Sequence, residues 1–436
     1  MSVSENALRS AAILHREGKF DAAEAAYQAV LAEDPDHVGA LQLLGVLRHH
    51  QGDDAAALGL VRRAIAIEPD NVEAVNNLGN IHLQMTALAE AEAAYRTALK
   101  LRPDFADGYN NLGLVLGLLG RPEEAEAALE QAIALEPRQA GFHHNLGLLL
   151  RRRGLLLQAI AAFRTAIALD PKQSHSFEAM ALAQYIQSRA PADAIATLMQ
   201  WLARDPSHPA ARHLLSALTG TDVEPRASDS YVKHLFDSYA NSFDGHLARL
   251  DYNAPRLLAA AVRAVLGEPD GRLRVLDAGC GTGRWGELLR PFAQDLTGVD
   301  LSSGMLEQAR RNRGYDHLEE AELTAFLAAH PGAYDLIFSA DTLVYFGDLA
   351  AVLTAAADAL DPGGILAFSV ERLEAEDEGP PFALQYHGRY AHTRRYLVDL
   401  MHDTGLRIAS LESGTLRLER GAPVAGWILV ARKPAA

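Results

Sequence analysis

The chain has 436 residues and 49% of them are apolar, so it is long enough for two or three folded domains. Its 40 Lys and Arg residues against 56 Asp and Glu give a net charge of −16, which argues against nonspecific binding to nucleic acid, because such binding neutralises phosphates. The single cysteine, Cys280, excludes an intrachain disulfide framework. The first residues lack a secretory signal and the longest apolar run, 112–119, is too short to span a bilayer, so we expect a soluble, cytoplasmic protein.

The first half of the chain repeats with a period of 34 residues. Small residues recur at fixed positions and apolar residues fall between them at helical spacing, which predicts two helices in each unit. A glycine in the middle of most units breaks the chain between the helices, and a terminal proline ends the second helix. In the third unit Thr86 stands where that glycine is expected. The repeating prolines are Pro35, Pro69, Pro103, Pro137, Pro171 and Pro206.

A unit of this length and pattern resembles the tetratricopeptide repeat, abbreviated TPR. We count about six units with a closing helix, which predicts an all-α superhelix over residues 4–219. The resemblance implies a concave face that binds a protein or peptide. Asn77, Asn111 and Asn145 occupy one position in three consecutive units and are candidate ligands for an extended peptide backbone. The alternative is that asparagine serves a local role at this position.

Residues 220–229 are polar and aperiodic, and we predict a linker there. From residue 230 to residue 436, short aromatic-rich helices precede alternating strand and helix signals, which predict a doubly wound α/β domain. Two strands follow one another at the end of the chain, with no helix between them. The expected fold is therefore a Rossmann-like, mainly parallel sheet of seven strands with a terminal antiparallel strand.

A glycine-rich loop follows the first predicted strand. The segment VLDAGCGTG places Asp277 at the strand end and Gly279, Gly281 and Gly283 at alternate positions after it. Glycines are needed where a ligand lies against the backbone. Together with Gly286 the loop also satisfies a dinucleotide fingerprint, but that pattern alone is weak. An acid before the loop suits a cationic ligand better than a pyrophosphate.

The loop resembles motif I of the class I methyltransferases that use S-adenosylmethionine (SAM), and it matches at every motif position. The resemblance implies that the loop lies beside the methionyl part of SAM. It also implies an acid at the end of the second strand that binds the ribose hydroxyls, and Asp300, followed by Leu301, stands there. The alternative role for Asp300 is the N-cap of the next helix.

The same resemblance implies an acidic and an apolar residue near the adenine. Glu322 and Leu323 fit this pair, although Glu319 or Glu320 remains an alternative for the acid. The fourth predicted strand ends in FSAD, which by the same resemblance places Ala340 and Asp341 beneath the cofactor. Three further runs, YVKHLFDSYANSFDGHL, GRYAHTRRYL and LRLERGAPVAGW, are similar to bacterial fusions of TPRs with a methyltransferase, whose catalytic half is similar to the methyltransferase-like proteins of the Williams–Beuren region.

Methyl transfer from a sulfonium requires positioning and exclusion of water, with no metal and no covalent nucleophile. Aromatic rings can also stabilise the sulfonium charge. The catalytic residues stay open, and so does the methyl acceptor. A packing role is an equal alternative for each acceptor-facing candidate, and Cys280 is expected to be a small filler in the loop. The acceptor-facing candidates are Tyr231, Tyr239, Phe243, His246, Tyr345, Arg389 and His392.

Three functions follow from this combination. The first is a SAM-dependent methyltransferase whose TPR array recruits a protein or peptide substrate. The second is a methyltransferase acting on a small molecule, with the repeats used for assembly. The third is a non-catalytic TPR scaffold with a vestigial SAM fold, against which the intact glycine loop and Asp300 argue.

Overall fold

The computed structural model describes residues 3–240, 243, 247, 251–312, 314–374, 379–419 and 422–435. Its contacts divide the chain into two compact units, Met1–Ala183 and Gln184–Ala436. We describe each unit by itself. Among the described helices, none combines the length and the apolar character that crossing a membrane requires.

Antiparallel helix pairs build the N-terminal unit. Its helices are 13 to 15 residues long, as expected for half of a 34-residue repeat. The helices that begin in this unit are α1 (Val3–Arg16), α2 (Phe20–Glu33), α3 (Val38–His50), α4 (Asp54–Ile67), α5 (Val72–Gln84), α6 (Leu88–Leu101), α7 (Ala106–Leu118), α8 (Pro122–Leu135), α9 (Ala140–Arg152), α10 (Leu156–Leu169) and α11 (Ser174–Ser188).

Small residues let the two helices of a repeat approach closely. A Cβ atom built on Gly79 would lie 2.5 Å from the ring of Tyr95, and one on Gly147 would lie 2.6 Å from the ring of Phe163. Each glycine of α5 and α9 therefore makes room for a large, fully buried side chain of the following helix. The turn glycines have positive φ, and Thr86 adopts φ +59° at the position where the pattern lacks its glycine.

The C-terminal unit is a nine-stranded sheet with helices. Its helices after α11 are α12 (Ala192–Leu202), α13 (Pro209–Thr219), α14 (Asp229–Tyr239), α15 (Ala254–Leu266), α16 (Gly286–Leu289), α17 (Ser303–Asn312), α18 (Leu323–Ala328), α19 (Ala350–Ala359) and α20 (Arg394–Asp403), with a 3₁₀ turn at Leu343–Tyr345. The strands are β1 (Leu273–Ala278), β2 (Ala293–Asp300), β3 (His317–Glu320), β4 (Tyr334–Ser339), β5 (Leu360–Arg372), β6 (Phe382–Leu384), β7 (Tyr390–His392), β8 (Arg407–Glu419) and β9 (Ala422–Arg432).

The main path of the sheet runs β3-β2-β1-β4-β5, with every neighbouring pair parallel. Strand β9 pairs antiparallel with both β5 and β8. These seven long or central strands match the predicted fold class, an all-α repeat region followed by a mainly parallel α/β domain, which is confirmed. The structure adds the three-residue strands β6 and β7, which continue the sheet beyond the end of β5.

The sheet is buried because apolar side chains fill both its central strands and the helix that covers it. The core of this unit joins Val275, Leu296, Leu336 and Val430 from four strands with Leu258 of α15. The strand order reverses at β1, because β2 and β3 lie on one side of it and β4 and β5 lie on the other. The connections of the two halves therefore cover opposite faces of the sheet. Ligands of doubly wound sheets bind at the carboxyl ends of the strands around such a point.

The contacts group α12 and α13 with the C-terminal unit, although the sequence predicts the repeat array as far as residue 219. His213 of α13 stacks on Tyr231 with ring centroids 4.1 Å apart, and its Nε2 donates to the Gly388 carbonyl at 2.8 Å. Tyr185, at the end of α11, stacks on Tyr386. The end of the helical array is thus bound to the loop that joins β6 to β7.

Candidate cofactor and acceptor site

A cavity of about 180 Å³ lies at the carboxyl ends of β1, β2 and β4. One part of its wall is formed by Asp300, Leu301, Glu322 and Leu323, and we name it the nucleoside side after the role that the resemblance implies for these residues. The part formed by the residues after β4 together with Arg226, Arg389 and Arg417 is named the acceptor side, because it contains two of the candidates expected to face an acceptor.

The three loop glycines differ in what surrounds the position of a Cβ atom. Gly279 has φ +86°, and a Cβ atom on it would overlap the side chain of Thr342. Gly283 is closed off by Ala309 and Tyr315, each 3.0 Å from the position of such an atom. At Gly281 the nearest atom to that position is 4.0 Å away, on Phe243. Gly279 and Gly281 line the cavity, and only Gly281 turns an open backbone face toward its space.

Asp277 lies beneath the loop, outside the wall of the cavity. Its side chain is 5% exposed and accepts a hydrogen bond of 2.6 Å from the Tyr315 hydroxyl. Burial raises the pKa of Asp277 to about 7, against the opposing effect of that hydrogen bond. We expected this carboxylate to face a cationic ligand. The structure instead gives it a partner, Tyr315, on the segment between α17 and β3. The hydrogen bond therefore fastens that segment to the end of β1.

Asp300 lies on the cavity wall, and backbone donors fix both of its oxygens. The Gly281 N–H donates to Oδ2 and the Ser302 N–H donates to Oδ1, each at 2.9 Å. The carboxylate therefore joins the glycine loop to the end of β2. Helix α17 has its own N-cap, because the Ser302 hydroxyl accepts from the Met305 N–H at 3.1 Å. The N-cap role considered for Asp300 thus belongs to Ser302.

The acid near residue 320 that lines the cavity is Glu322. Its carboxylate caps α18 by accepting from the N–H groups of Thr324 at 3.0 Å and Ala325 at 2.9 Å. Glu320 points elsewhere and pairs with Lys233 at 2.9 Å. Leu301 and Leu323 line the cavity together with Asp300 and Glu322.

The structure places some of the acceptor-facing candidates on the cavity wall and others inside the domain. Phe243, Tyr345 and Arg389 line the cavity, as does Ala340. Tyr231 is 4% exposed and packs between His213 and Gly388. His392 is fully buried, where it donates to the Gly347 carbonyl and stacks on Tyr396. These last two were expected at the acceptor, but they pack inside the domain. The side chain of Tyr239 and all of His246 lie outside the described residues.

A cluster of buried charges stands behind the acceptor side. Arg417 of β8 is 1% exposed and bonds three carboxylates: Asp341 at 2.9 Å, Glu419 at 2.8 Å, and Glu371 of β5. Arg389 adds a contact of 2.5 Å to Glu419. Although burial disfavours the charged form of Glu419, Arg389 and Arg417 lower its pKa to about 2. Pairing of this kind is what makes buried charges tolerable.

Asp341 is placed by the backbone as well as by Arg417. It follows Ala340 directly after β4 and has φ +59°, an unfavourable conformation for a residue other than glycine. Its N–H donates to the Ser369 hydroxyl at 3.0 Å. Strain of this type is retained where the surrounding structure holds a residue at a ligand site. Sequence analysis noted Asp341 beneath the cofactor but did not identify Arg417, Glu371 or Glu419.

The alternation of apolar and charged residues in the run Leu416, Arg417, Leu418 and Glu419, between the two predicted terminal strands, was the available signal. Glu371, a charged residue that follows six apolar or small residues of β5, was another. Side chains two positions apart along a strand, such as those of Arg417 and Glu419, point to the same face. Their shared face could not be assigned to the site without the pairing of β9 with β5.

Residues 220–229, predicted as a linker, contribute to the site. The Ala227 N–H donates to the Tyr345 carbonyl, and the Pro225 carbonyl accepts from the N–H groups of Gly347 and Asp348, all at 2.7–2.8 Å. Arg226 and Ala227 line the cavity. Backbone hydrogen bonding therefore attaches this segment to the loop after β4, and it forms part of the acceptor side.

In the N-terminal unit, asparagines predicted to bind a peptide form hydrogen bonds between repeats. The Nδ2 atom of Asn111 donates to Asn76 and Asn80 at 3.1 and 3.2 Å, and Nδ2 of Asn145 donates to Asn110 at 2.8 Å. Two of the three predicted peptide ligands, Asn111 and Asn145, thus donate to the preceding repeat. The local role considered for asparagine at this position accounts for those contacts.

Models of known protein families match parts of both units of the chain. Residues 250–411 match the family described as Methyltransferase domain. Residues 13–72 and 111–174 match Tetratricopeptide repeat, and residues 87–120 match TPR repeat. These matches confirm the combination predicted from the sequence.

Relatives of the C-terminal region are methyltransferases. A malonyl-[acyl-carrier protein] O-methyltransferase of Enterobacter lignolyticus is 36% identical over 96 residues, 22% of this chain and 38% of the relative. Human methyltransferase-like protein 27 is 41% identical over 86 residues, 20% of this chain and 35% of the relative. The chain spans about a third to a half of the length of the curated relatives it matches.

A solved SAM-dependent methyltransferase from Mesorhizobium loti is 25% identical, with a TM-score of 0.32 over 40% of this chain and 96% of the other. The chain carries tetratricopeptide repeats followed by a methyltransferase domain.

Proposed function

We propose that the C-terminal unit transfers a methyl group from SAM and that the TPR array recruits a protein or peptide substrate. The observation that carries the methyl-transfer proposal is the joint placement of Asp300 and Gly281 on one cavity wall. The carboxylate is fixed by two backbone donors and has further lone pairs for ribose hydroxyls. The open face of Gly281 admits a ligand against the backbone.

The remaining wall fits the other parts of this cofactor. Leu301 and Leu323 offer apolar contacts to a base beside Glu322, and Gly279 and Gly281 fit the methionyl part. SAM would supply an electrophilic methyl group on a sulfonium whose leaving group is a neutral thioether. Phe243 and Tyr345 are aromatic groups of the wall that can stabilise such a charge.

The chain's own residues would position the acceptor and exclude water. Tyr345 and Tyr252 line the cavity, and burial raises the pKa of both, so each keeps its proton at neutral pH. They can donate hydrogen bonds to an acceptor oxygen. The segment around Arg226 and Ala227 covers the same side of the cavity and limits its access to water.

Recruitment of a protein is supported by the repeats, since arrays of this kind present extended binding surfaces. The alternative is a small-molecule acceptor. It is supported by relatives named for small-molecule activities, among them aklanonic acid methyltransferase of a Streptomyces strain, which is 30% identical over 148 residues.

The test incubates the full chain with methyl-labelled SAM and a bacterial lysate, with the Asp300→Ala variant as the blank. Titration calorimetry measures SAM binding separately. We expect SAM to bind and label to enter a protein band. Label confined to the small-molecule fraction would replace the recruitment proposal with the alternative. Absence of SAM binding to the folded protein would overturn methyl transfer.

A further inference from the structure

We propose that the methyl acceptor is a carboxylate and that Arg389 is the residue that binds it, so that the product is a methyl ester. This inference rests on the proposed function, because it names the substrate class of the same cavity. It is carried by the charges and contacts of the acceptor side.

Charged side chains divide unequally between the two sides of the cavity. On the nucleoside side the charged lining residues are Asp300 and Glu322. On the acceptor side the described lining residues include three arginines, Arg226, Arg389 and Arg417, and one carboxylate, Asp341. Glu371 and Glu419 balance the arginines, but they lie behind them. With its carboxylates counted, the cluster is not positively charged as a whole, and Arg226 and Arg389 are the arginines of the described wall whose side chains keep appreciable exposure.

Among the three arginines, Arg389 is best placed to bind a ligand. Arg417 is 1% exposed and is committed to three carboxylates. Arg226 pairs with Asp229 at 2.5 Å outside the cavity wall. The side chain of Arg389 is 26% exposed, its ion pairs with Glu419 and Glu371 both use Nη1, and it lies within hydrogen-bonding reach of the Tyr345 hydroxyl on the same wall. The rest of its planar fork matches the geometry of a carboxylate.

The loop that carries Arg389 is held from outside the sheet. His213 bonds the Gly388 carbonyl, and the Tyr231 hydroxyl fills the space beside Gly388. Gly388 has φ +85°, so the turn before Arg389 depends on glycine. A guanidinium on a fixed turn is a preorganised binding group, because little conformational freedom remains to be lost on binding.

The reaction of a carboxylate also agrees with the protonation of the site. A carboxylate oxygen attacks the methyl carbon with its lone pair, the C–O bond forms as the C–S bond breaks, and the bonding pair returns to sulfur. One anion and one sulfonium become a neutral ester and a neutral thioether, and no proton moves. Tyr345 remains a donor throughout, and Asp341 remains bound to Arg417.

An ammonium acceptor faces the opposite situation. It would approach the guanidinium of Arg389 and would have to lose a proton before reaction. A carboxylate is attracted both by Arg389 and by the sulfonium, so the ground state places the two reacting groups side by side.

The experiment uses the chemical lability of methyl esters. The full chain is incubated with methyl-labelled SAM and a bacterial lysate, and the products are treated with mild alkali. Esters release volatile labelled methanol, whereas phenol ethers and methylated amines do not. We expect most of the enzyme-dependent label to become volatile, from protein and small-molecule fractions alike. Label that stays in place after alkali overturns the proposal.

A binding measurement covers the case in which the lysate holds no substrate. The probes are octanoate, octanamide and octylamine, titrated into the protein saturated with S-adenosylhomocysteine. We expect octanoate to bind at least tenfold more tightly than the other two. Equal or weaker binding of octanoate overturns the proposal. Failure of SAM to bind would contradict the proposed function instead, so the two failures are distinguishable.

Three variants test the role of Arg389. Arg389→Gln is compared with the double variant Arg389→Gln with Glu419→Gln, which removes the carboxylate that loses one of its two arginine partners. Both should lower octanoate affinity at least tenfold and leave SAM affinity within twofold of wild type. Arg389→Lys should recover only part of the loss, because lysine keeps the charge without the fork. The control is Arg256→Gln, an exposed arginine of α15, which should change neither.

Discussion

Two glycines of the N-terminal unit and Gly281 of the methyltransferase domain lie in opposite surroundings. Gly79 and Gly147 are small because Tyr95 and Phe163 of the next helix occupy the space. Gly281 has open space beside it and a carboxylate bound to its N–H. A buried ring therefore explains the size of the first two, whereas Gly281 leaves its backbone open to the cavity, which is the feature that the proposed cofactor site uses.

The two units also differ in the kind of polar side chain that they bury. Asn76 and Asn110 are buried, neutral amides that accept hydrogen bonds from the following repeat. In the methyltransferase domain Arg417 and Glu371 are buried as ions. Ions cost more to bury than amides, so their presence marks the region where the fold serves chemistry.

The largest expected effect tests the ion cluster. Arg417→Met leaves Asp341, Glu371 and Glu419 without their shared partner and should lower the free energy of unfolding by about 3–5 kcal/mol. All three tryptophans, Trp201, Trp285 and Trp427, lie in the C-terminal unit, so urea unfolding followed by their fluorescence reports this unit alone. The exposed control Arg256→Met should change the midpoint little. A loss under about 1 kcal/mol would mean that the cluster is not a structural unit.

The next effect concerns the cofactor. Asp300→Ala should weaken SAM binding by about 3 kcal/mol, since two hydrogen bonds to a charged acceptor are lost at about 1.5 kcal/mol each. Calorimetry would show a dissociation constant raised by roughly 100-fold. Asp270→Ala removes an exposed carboxylate of the same unit and should leave affinity unchanged. Normal SAM affinity in folded Asp300→Ala protein would place the ribose site elsewhere.

The packing role of the repeat glycines predicts opposite signs for two alanine substitutions. Gly79→Ala should destabilise the N-terminal unit by about 1–3 kcal/mol, because the new Cβ atom overlaps the ring of Tyr95. Gly59→Ala, inside α4 with open space around it, should stabilise by about 0.5–1 kcal/mol. Thermal unfolding followed by far-ultraviolet circular dichroism measures both. Equal effects of the two substitutions would contradict the packing explanation.

A pH dependence should distinguish Asp277 from the paired carboxylates. Because burial raises the pKa of Asp277 to about 7, the folded state binds its proton more tightly than the unfolded state, and this contribution to stability is lost as pH rises from about 4 to about 7. Asp277→Asn keeps an acceptor for Tyr315 and cannot ionise. Its stability relative to wild type should therefore rise between pH 5 and pH 8 by at least about 1.4 kcal/mol, the equivalent of one pKa unit. A flat difference in urea unfolding free energy across that range would exclude this ionisation.

The smallest effect tests the connection between the last helices and the site. His213→Ala removes the hydrogen bond to Gly388 and should weaken acceptor binding by about 1 kcal/mol, roughly fivefold in dissociation constant, with SAM affinity unchanged. The exposed His402→Ala variant is the control. A loss of SAM binding in the His213 variant would indicate general damage instead of a positioning role.

The sequence predicted those features that depend on local spacing. The 34-residue period predicted the helix pairs, and the order Asp277, Gly279, Gly281, Asp300 predicted the strand ends that meet at the cavity. It did not predict that Asp277 would turn away to Tyr315, or that Tyr231 and His392 would be buried among neighbours. Those outcomes depend on side-chain partners far along the chain.

What the sequence alone determined about this protein is its sequence of elements, since repeat spacing, strand–helix alternation and the glycine loop are local patterns that neighbouring residues encode. Only the tertiary structure decided what lies on the acceptor side. The insertion of β9 between β5 and β8 places Glu371 and Arg417 side by side, and backbone bonds bring Arg226 from the predicted linker to the cavity. Strand pairing and chain crossing act between residues with no fixed spacing, so the charges that face the acceptor become neighbours only in the folded chain.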